Sequence, residues 1–265
     1  MRIALGIEYD GFAFSGWQIQ DGNMPTVQEK LEIALSKIAN ETISKCQVAG
    51  RTDTGVHATE QVIHFETNAE RSMRSWILGA NRYLTNQTIS VLWAHSVDNN
   101  FHARFSAQRR QYRYVIFSRS IRPTFLNHYV SWAPRSLNLS RMQEAAKYLL
   151  GEHDFNSYRT VKCQAKSSVK TVYFLNVSQH GEYFYIDIQG NSFLHHMVRN
   201  IAGVLMAIGS GEAEPEWALD VLEARDRTKG GKTAPPGGLY LTNVSYDEKF
   251  NLPQIYSIPM TYENA

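Results

Sequence analysis

The sequence predicts an α+β protein of two ferredoxin-like (RRM-like) subdomains, residues 1–105 and 106–265, sharing an extended, mainly antiparallel sheet with helices on one side. Three observations predict it. Stretches with period-two alternation are interleaved with stretches at helical spacing. The strands alternate between apolar and polar residues, as antiparallel sheets do and buried parallel ones do not. Both halves run through similar steps, close to a split β-α-β-β-α-β unit, without a residue-by-residue repeat. Hydrophobic residues at 43% and aromatics at 12% suffice for a core and exclude a disordered chain.

In the first half, Arg2 to Tyr9 places Ile3, Leu5, Ile7 and Tyr9 on one side of a strand. Thr26 and Glu29 form a capping box before Val27, Leu31, Ala34, Leu35 and Ile38, a helix that ends near Asn40. Gln61 to Glu66 alternates again, Arg71 to Leu84 has helical spacing, and Thr88 to Val97 is β-rich. In the second half, Tyr112 to Phe117 reads as a strand, and Ser140 with Gln143 caps a helix that stops at Gly151. Val169 to Val177 and Tyr183 to Gln189 make a hairpin around His180-Gly181. Helices cover Leu194 to Ile208 and Pro215 to about Arg225, and Gly238 to Tyr246 closes as a strand. Pro123, Pro134 and Lys229 to Gly238 mark loops.

Several classes drop out. Cys46 and Cys163 form no CxxC pair and read as thiols of a reducing compartment. Glu8 interrupts the amino terminus before any long apolar run, and no stretch reaches the roughly 18 apolar residues of a membrane helix. A cytoplasmic protein is expected. A net charge of +2 decides nothing about partners, but its distribution does. From Asn99 to Gln143 there is no Asp or Glu, while Arg occurs at 104, 109, 110, 113, 119, 122, 135 and 141 among interleaved aromatics. Guanidinium groups bind phosphate bidentately and stack on bases, so looped or single-stranded RNA suits this tract. The alternative is a solvated basic face.

The segment Gly50-Arg51-Thr52-Asp53-Thr54-Gly55-Val56-His57-Ala58 falls between strand-like stretches. Its glycines permit turn conformations, and a carboxylate flanked by Arg51 and His57 would be held ionised, able to act as nucleophile or base. From these residues alone, a plain turn capped by Asp53 stands beside that reading.

The sequence resembles the tRNA pseudouridine synthase A family. The resemblance rests on Tyr9-Asp10-Gly11 with Gly16-Trp17-Gln18, the Gly50 to His57 loop, Phe101-His102-Ala103-Arg104-Phe105-Ser106 and His195-His196-Met197-Val198-Arg199-Asn200. Tyr112-Arg113-Tyr114 and Gly238-Leu239-Tyr240-Leu241 agree as well. Thr54 departs from the family's usual Ala after the catalytic Asp. The resemblance implies that Asp53 is the nucleophile toward a flipped uridine and that Arg51 holds the loop and displaces a base. It further implies that Tyr112 stacks on the uracil and Arg199 pairs with Asp53. It implies a tRNA substrate modified in the anticodon arm at nucleotides 38 to 40, no cofactor, and a homodimer.

Rival motifs are weaker. His195-His196, read as helical neighbours, point in different directions and make no chelate, and no HExxH is present. Gly230-Gly231-Lys232-Thr233 has the tail of a phosphate loop, but Asp226 stands where its first glycine belongs. Tyr112, Tyr114 and Ile116 share one strand face; Tyr114 reads as core, and Tyr112, taken as the strand's start, as able to reach a cleft. A noncatalytic RNA binder with two RRM-like sheets is the competing class. No RNP1-type run is present, and the Asp53 loop would have no purpose in it.

Overall fold

The computed structural model describes residues 1–255 apart from 21, 23, 162 and 164. In chain order, β1 (Arg2–Tyr9), α1 (Val27–Ala39), β2 (Gln47–Val48), β3 (His57–Glu66), α2 (Met73–Tyr83) and β4 (Ile89–Val97) come first. They are followed by β5 (Arg109–Ser118), β6 (Ser131–Ala133), α3 (Leu139–Lys147), β7 (Gly151–Asp154) and β8 (Val169–His180). The last are β9 (Tyr183–Gly190), α4 (Met197–Gly209), α5 (Trp217–Ala224) and β10 (Leu239–Ser245). The protein is thus a mixed α+β fold. Two compact units divide it: Met1–Arg110 with the described residues from Tyr240 onward, and Gln111–Leu239.

In the first unit β1 pairs antiparallel with β3 on one side and β4 on the other. The far edge of β3 is shared. β2 lies antiparallel to one end, Gln47 opposite His64, and β10 lies parallel to the other, Tyr240 opposite His57. The sequence reading assigned the closing strand to the second half; its local pattern carries no signal of the distant partner it finds here. The segment joining β2 to β3 is therefore a return loop, and it holds Asp53. Helix α1 keeps the ends read from sequence: the Thr26 side chain accepts the Glu29 N–H at 3.3 Å, and Asn40 closes the helix at φ 55°.

The expected one-sided alternation of β1 gives way to burial on both faces. Ile3, Leu5 and Ile7 fill one side. On the other, Gly6 leaves room for an indole: a Cβ there would come within 2.0 Å of Trp93 Nε1. Small residues, which read as spacers in the sequence, are here the seat of a large side chain.

In the second unit the strands run β5-β9-β8-β7, and β6 pairs parallel to β5. The hairpin of β8 and β9 closes with His180 opposite Tyr183 and Gly181 at φ +56°. Helix α3 is capped by Asn138, whose side chain accepts the Arg141 N–H at 3.1 Å, so the Ser140 cap read from sequence is two residues late. Helix α4 begins at Met197. His195 and His196 therefore lie in the turn before it, with His196 left-handed at φ 64°, and not on the helix as the sequence reading had them.

Candidate active site

The return loop is fixed from behind by backbone and buried side chains of its own unit. The Gln61 carboxamide, fully enclosed, donates to Gly50 O at 2.6 Å and accepts the Gly50 N–H at 3.4 Å. Tyr9 Oη and Thr52 Oγ1 share a buried hydrogen bond of 2.8 Å, and burial raises the Tyr9 phenol to about 12. The phenol is thus a neutral hydrogen-bonding group throughout the working pH range. The Trp17 N–H donates to Thr52 O at 3.0 Å. A turn then closes at the reactive position: the Val56 N–H donates to Asp53 O at 3.1 Å, with Gly55 at φ +76° in the place where such a turn demands a left-handed residue.

Gly16 explains why its segment reads as a motif. At φ +88° its Cα faces the loop so closely that a Cβ would sit 2.8 Å from Thr52 O and 3.2 Å from the Asp53 carbonyl carbon. Gly11 does the same at the loop's exit, where a Cβ would meet Val56 O at 2.0 Å. Each glycine lets one backbone lie directly against another.

Asp53 is half-buried and Arg51 exposed, both on this loop. His57 is buried, and its partners include groups on the opposite side of the loop's exit. Its Nδ1 accepts the Gly11 N–H at 3.0 Å and lies 3.0 Å from an Asp10 carboxylate oxygen, while its ring stacks on Tyr240 at 4.8 Å. One nitrogen cannot accept an amide proton and donate to a carboxylate at once, so the two contacts require different placements of the ring proton. The sequence reading gives His57 an electrostatic task beside Asp53; the contacts with Gly11 and Tyr240 add a scaffolding one.

Tyr112 and Arg199 belong to the second unit. Strand β5 starts at Arg109, so Tyr112 is not at its start, and its ring meets the Phe193 edge at 5.2 Å and 85°. Tyr114 is core, as read, with its hydroxyl donating to Pro235 O at 2.8 Å. Arg199 extends from the first turn of α4, and its Nε donates to Ala234 O at 2.8 Å, while the Ala234 N–H returns a bond to Arg199 O at 3.1 Å. The next residue stood in the resembling segment without a role. Asn200, 2% exposed, donates to Tyr158 O at 2.7 Å and accepts from Thr233 Oγ1 at 2.7 Å and from Arg227 at 3.1 Å. Gly203 packs onto Lys232 O, where a Cβ would come within 1.9 Å. The Lys229 to Gly238 loop is thus a strap tied to α4.

The arginine tract is not one face. Arg110 is buried and donates to the carbonyls of Ala49, Arg104 and Ala107 at 3.0, 2.7 and 3.0 Å. Arg113 is buried in a bidentate pair with Asp187 at 2.7 and 2.8 Å, its guanidinium 4.9 Å from the Tyr185 ring. Arg135 pairs with Glu212 at 2.7 Å and Arg141 with Glu214 at 3.1 Å. The acids that answer Arg113, Arg135 and Arg141 lie in distant segments, beyond the reach of a local charge count.

Comparison with known proteins matches the family described as tRNA pseudouridine synthase over residues 6–106 and 145–247. That span is most of the chain. The protein belongs to the tRNA pseudouridine synthase family. Relatives named tRNA pseudouridine synthase A support this across the full length. The one from Pseudomonas aeruginosa is 54% identical, over 97% of this chain and 90% of its own. The one from Nitrosococcus oceani is 53% identical, over 98% and 99%. As a pseudouridine synthase the chain is an isomerase, and the glycine-backed loop, its Asp53 and the α4 segment all fall within the matched residues. Among the described residues, no helix is long and apolar enough to cross a membrane.

Proposed function

We propose that this pseudouridine synthase converts uridine to pseudouridine in the anticodon stem-loop of tRNA, at nucleotides 38 to 40, with Asp53 as nucleophile and without a cofactor. One observation carries the reading: a half-buried Asp53 heads a turn on a loop whose backbone is bonded by Gln61 and Trp17 and lies directly against Gly16. A carboxylate carried on so firmly held a backbone is suited to attack at a fixed point. The reaction asks for little else. The bond from C1′ to N1 of the uracil breaks, a bond from C1′ to C5 forms, N1 gains a proton and C5 loses one. No electrons are transferred and no fragment departs. Arg51, Tyr112 and Arg199 act on the substrate, Arg51 by displacing a base and Tyr112 by stacking on the uracil.

The reading extends to a homodimer in the cytoplasm and to ferredoxin-like halves. For the first unit the strand order β4-β1-β3-β2, antiparallel throughout, supports the latter. The decisive assay incubates the protein with unmodified tRNA carrying tritium at C5 of uridine, then maps pseudouridine by carbodiimide labelling. Tritium release with modification at 38 to 40 is expected. Release that persists at the wild-type rate after Asp53→Asn removes Asp53 from the mechanism.

A further inference from the structure

The segment Phe101 to Ser106 is a rigid loop that turns an arginine and an aromatic ring outward. Phe101 is fully buried against Tyr246 and Phe250, each ring centre 5.1 Å away. The Ser106 N–H donates to His102 O at 2.8 Å, and the His102 N–H donates to Ser106 Oγ at 2.9 Å. Tyr246 Oη donates to Ala103 O at 2.7 Å, and the buried Arg110 guanidinium donates to Arg104 O at 2.7 Å. Two histidines complete the frame. His64 Nδ1 accepts the Ala103 N–H at 3.0 Å, and His102 Nδ1 accepts the N–H groups of Arg104 and Phe105 at 3.1 and 3.3 Å.

The frame's product is the exposure of Phe105. The Phe105 ring is 77% exposed on a well-held backbone and so stands open to contact from outside the chain. Its ring lies 4.4 Å from the His102 imidazole on one side, with the Arg104 guanidinium 5.6 Å from its centre. An aromatic ring offers a surface for an unpaired base, and a neighbouring arginine offers a cation to phosphate. No Asp or Glu occurs between Asn99 and Gln143, so the loop's own segment carries no acid to repel a polyanion.

We propose that Arg104 and Phe105 form an RNA-docking point, Phe105 stacking on an unpaired base and Arg104 pairing with a flanking phosphate. It rests on the reading that the substrate is an RNA, and it adds a contact outside the Asp53 loop. Its role is positioning: it acts on capture of the RNA, not on the isomerisation step.

The test measures anisotropy of a fluorescein-labelled RNA stem-loop with unpaired loop nucleotides, titrated with wild type, Phe105→Ala, Phe105→Leu, Phe105→Tyr and Arg104→Gln. Phe105→Ala and Phe105→Leu should each weaken binding roughly tenfold, Phe105→Tyr should restore it, and Arg104→Gln should flatten the salt dependence. In turnover, KM should rise with kcat held. Full affinity in Phe105→Ala overturns the proposal, as does Leu serving as well as Phe, which would make the ring a generic apolar contact such as one between copies of this chain. Tritium release by wild type separates the readings. Release with unchanged Phe105→Ala affinity sinks only the docking point. Its absence sinks the pseudouridylation reading, and the affinity series still decides whether the ring stacks on RNA.

Discussion

Strand β3 carries a buried histidine near each end, and the two do the same work in different electrostatic company. At one end His57 Nδ1 accepts the Gly11 N–H and steadies the exit of the Asp53 loop. At the other, His64 Nδ1 accepts the Ala103 N–H and steadies the Phe105 loop. Both uses need an unprotonated Nδ1. Beside His57 stands the Asp10 carboxylate, a competing partner at 3.0 Å for the same nitrogen. At His64 burial, chiefly, with the neighbouring His102 and Arg2, lowers the pKa to about 4, against a smaller opposing pull from Glu66. Burial encloses the acceptor at both ends, and the charged groups packed beside the two rings differ.

The largest effect should separate chemistry from scaffold. Asp53→Asn should lower turnover by a factor of about a thousand or more while leaving the melting temperature unchanged within roughly 2 °C, since Gln61, Tyr9, Trp17 and the Val56 N–H, all kept in the variant, hold the loop. Matched losses in calorimetry and tritium release would make Asp53 a structural residue.

Next comes the loop's backing. Gly16→Ala should cost about 2–3 kcal/mol and depress kcat, because the new methyl meets Thr52 O at a left-handed φ. Gly22→Ala is the control: φ is +102° but nothing lies within 4 Å, so only the conformational penalty of about 1–2 kcal/mol applies and turnover should hold. Equal effects at both positions would show that close approach to the Asp53 loop is irrelevant.

The third test titrates the comparison itself. The His64 pKa is depressed in the folded state, so between about 6.5 and 4 the unfolded chain binds the extra proton. Stability is full above this window and is lost as pH falls through it, by on the order of 2 kcal/mol. Urea denaturation from pH 7 to pH 4 should show that slope, and it should flatten in His64→Gln, which has no titrating ring. An unchanged slope in the variant would place the sensitivity elsewhere. The smallest effect concerns the arginine tract. Arg135→Ala removes an exposed pair with Glu212 and should change stability by less than about 0.5 kcal/mol and RNA affinity by no more than about twofold. A tenfold loss of affinity would return Arg135 to the RNA surface.

Much of the fold was legible where the signal is local. Helix α1 came out with the ends read from sequence and strand β1 with its bounds, because caps and strand-forming residues are written locally, whereas the one-sided burial expected of β1 did not hold. Strands β2, β6 and β7 were not, being two to four residues long and without a period to detect. The cap of α3 was misplaced because Asn138 and Ser140 are both competent caps, and the choice depends on the packing of the helix. Of the site, the sequence singled out the Asp53 loop and the α4 segment. It could not foresee that His57 would turn to Gly11, or that Asn200 would tie α4 to the strap at Thr233.

The sequence by itself determined the α+β class, the family and the loop that holds Asp53, because each is carried by the identity and spacing of neighbouring residues. Tertiary structure alone decided which arginines remain available to solvent, which glycines lie under another backbone, and which strand closes the first unit. These depend on partners distant in the chain, since burial and hydrogen bonding are settled by what folds against a residue and not by what precedes it.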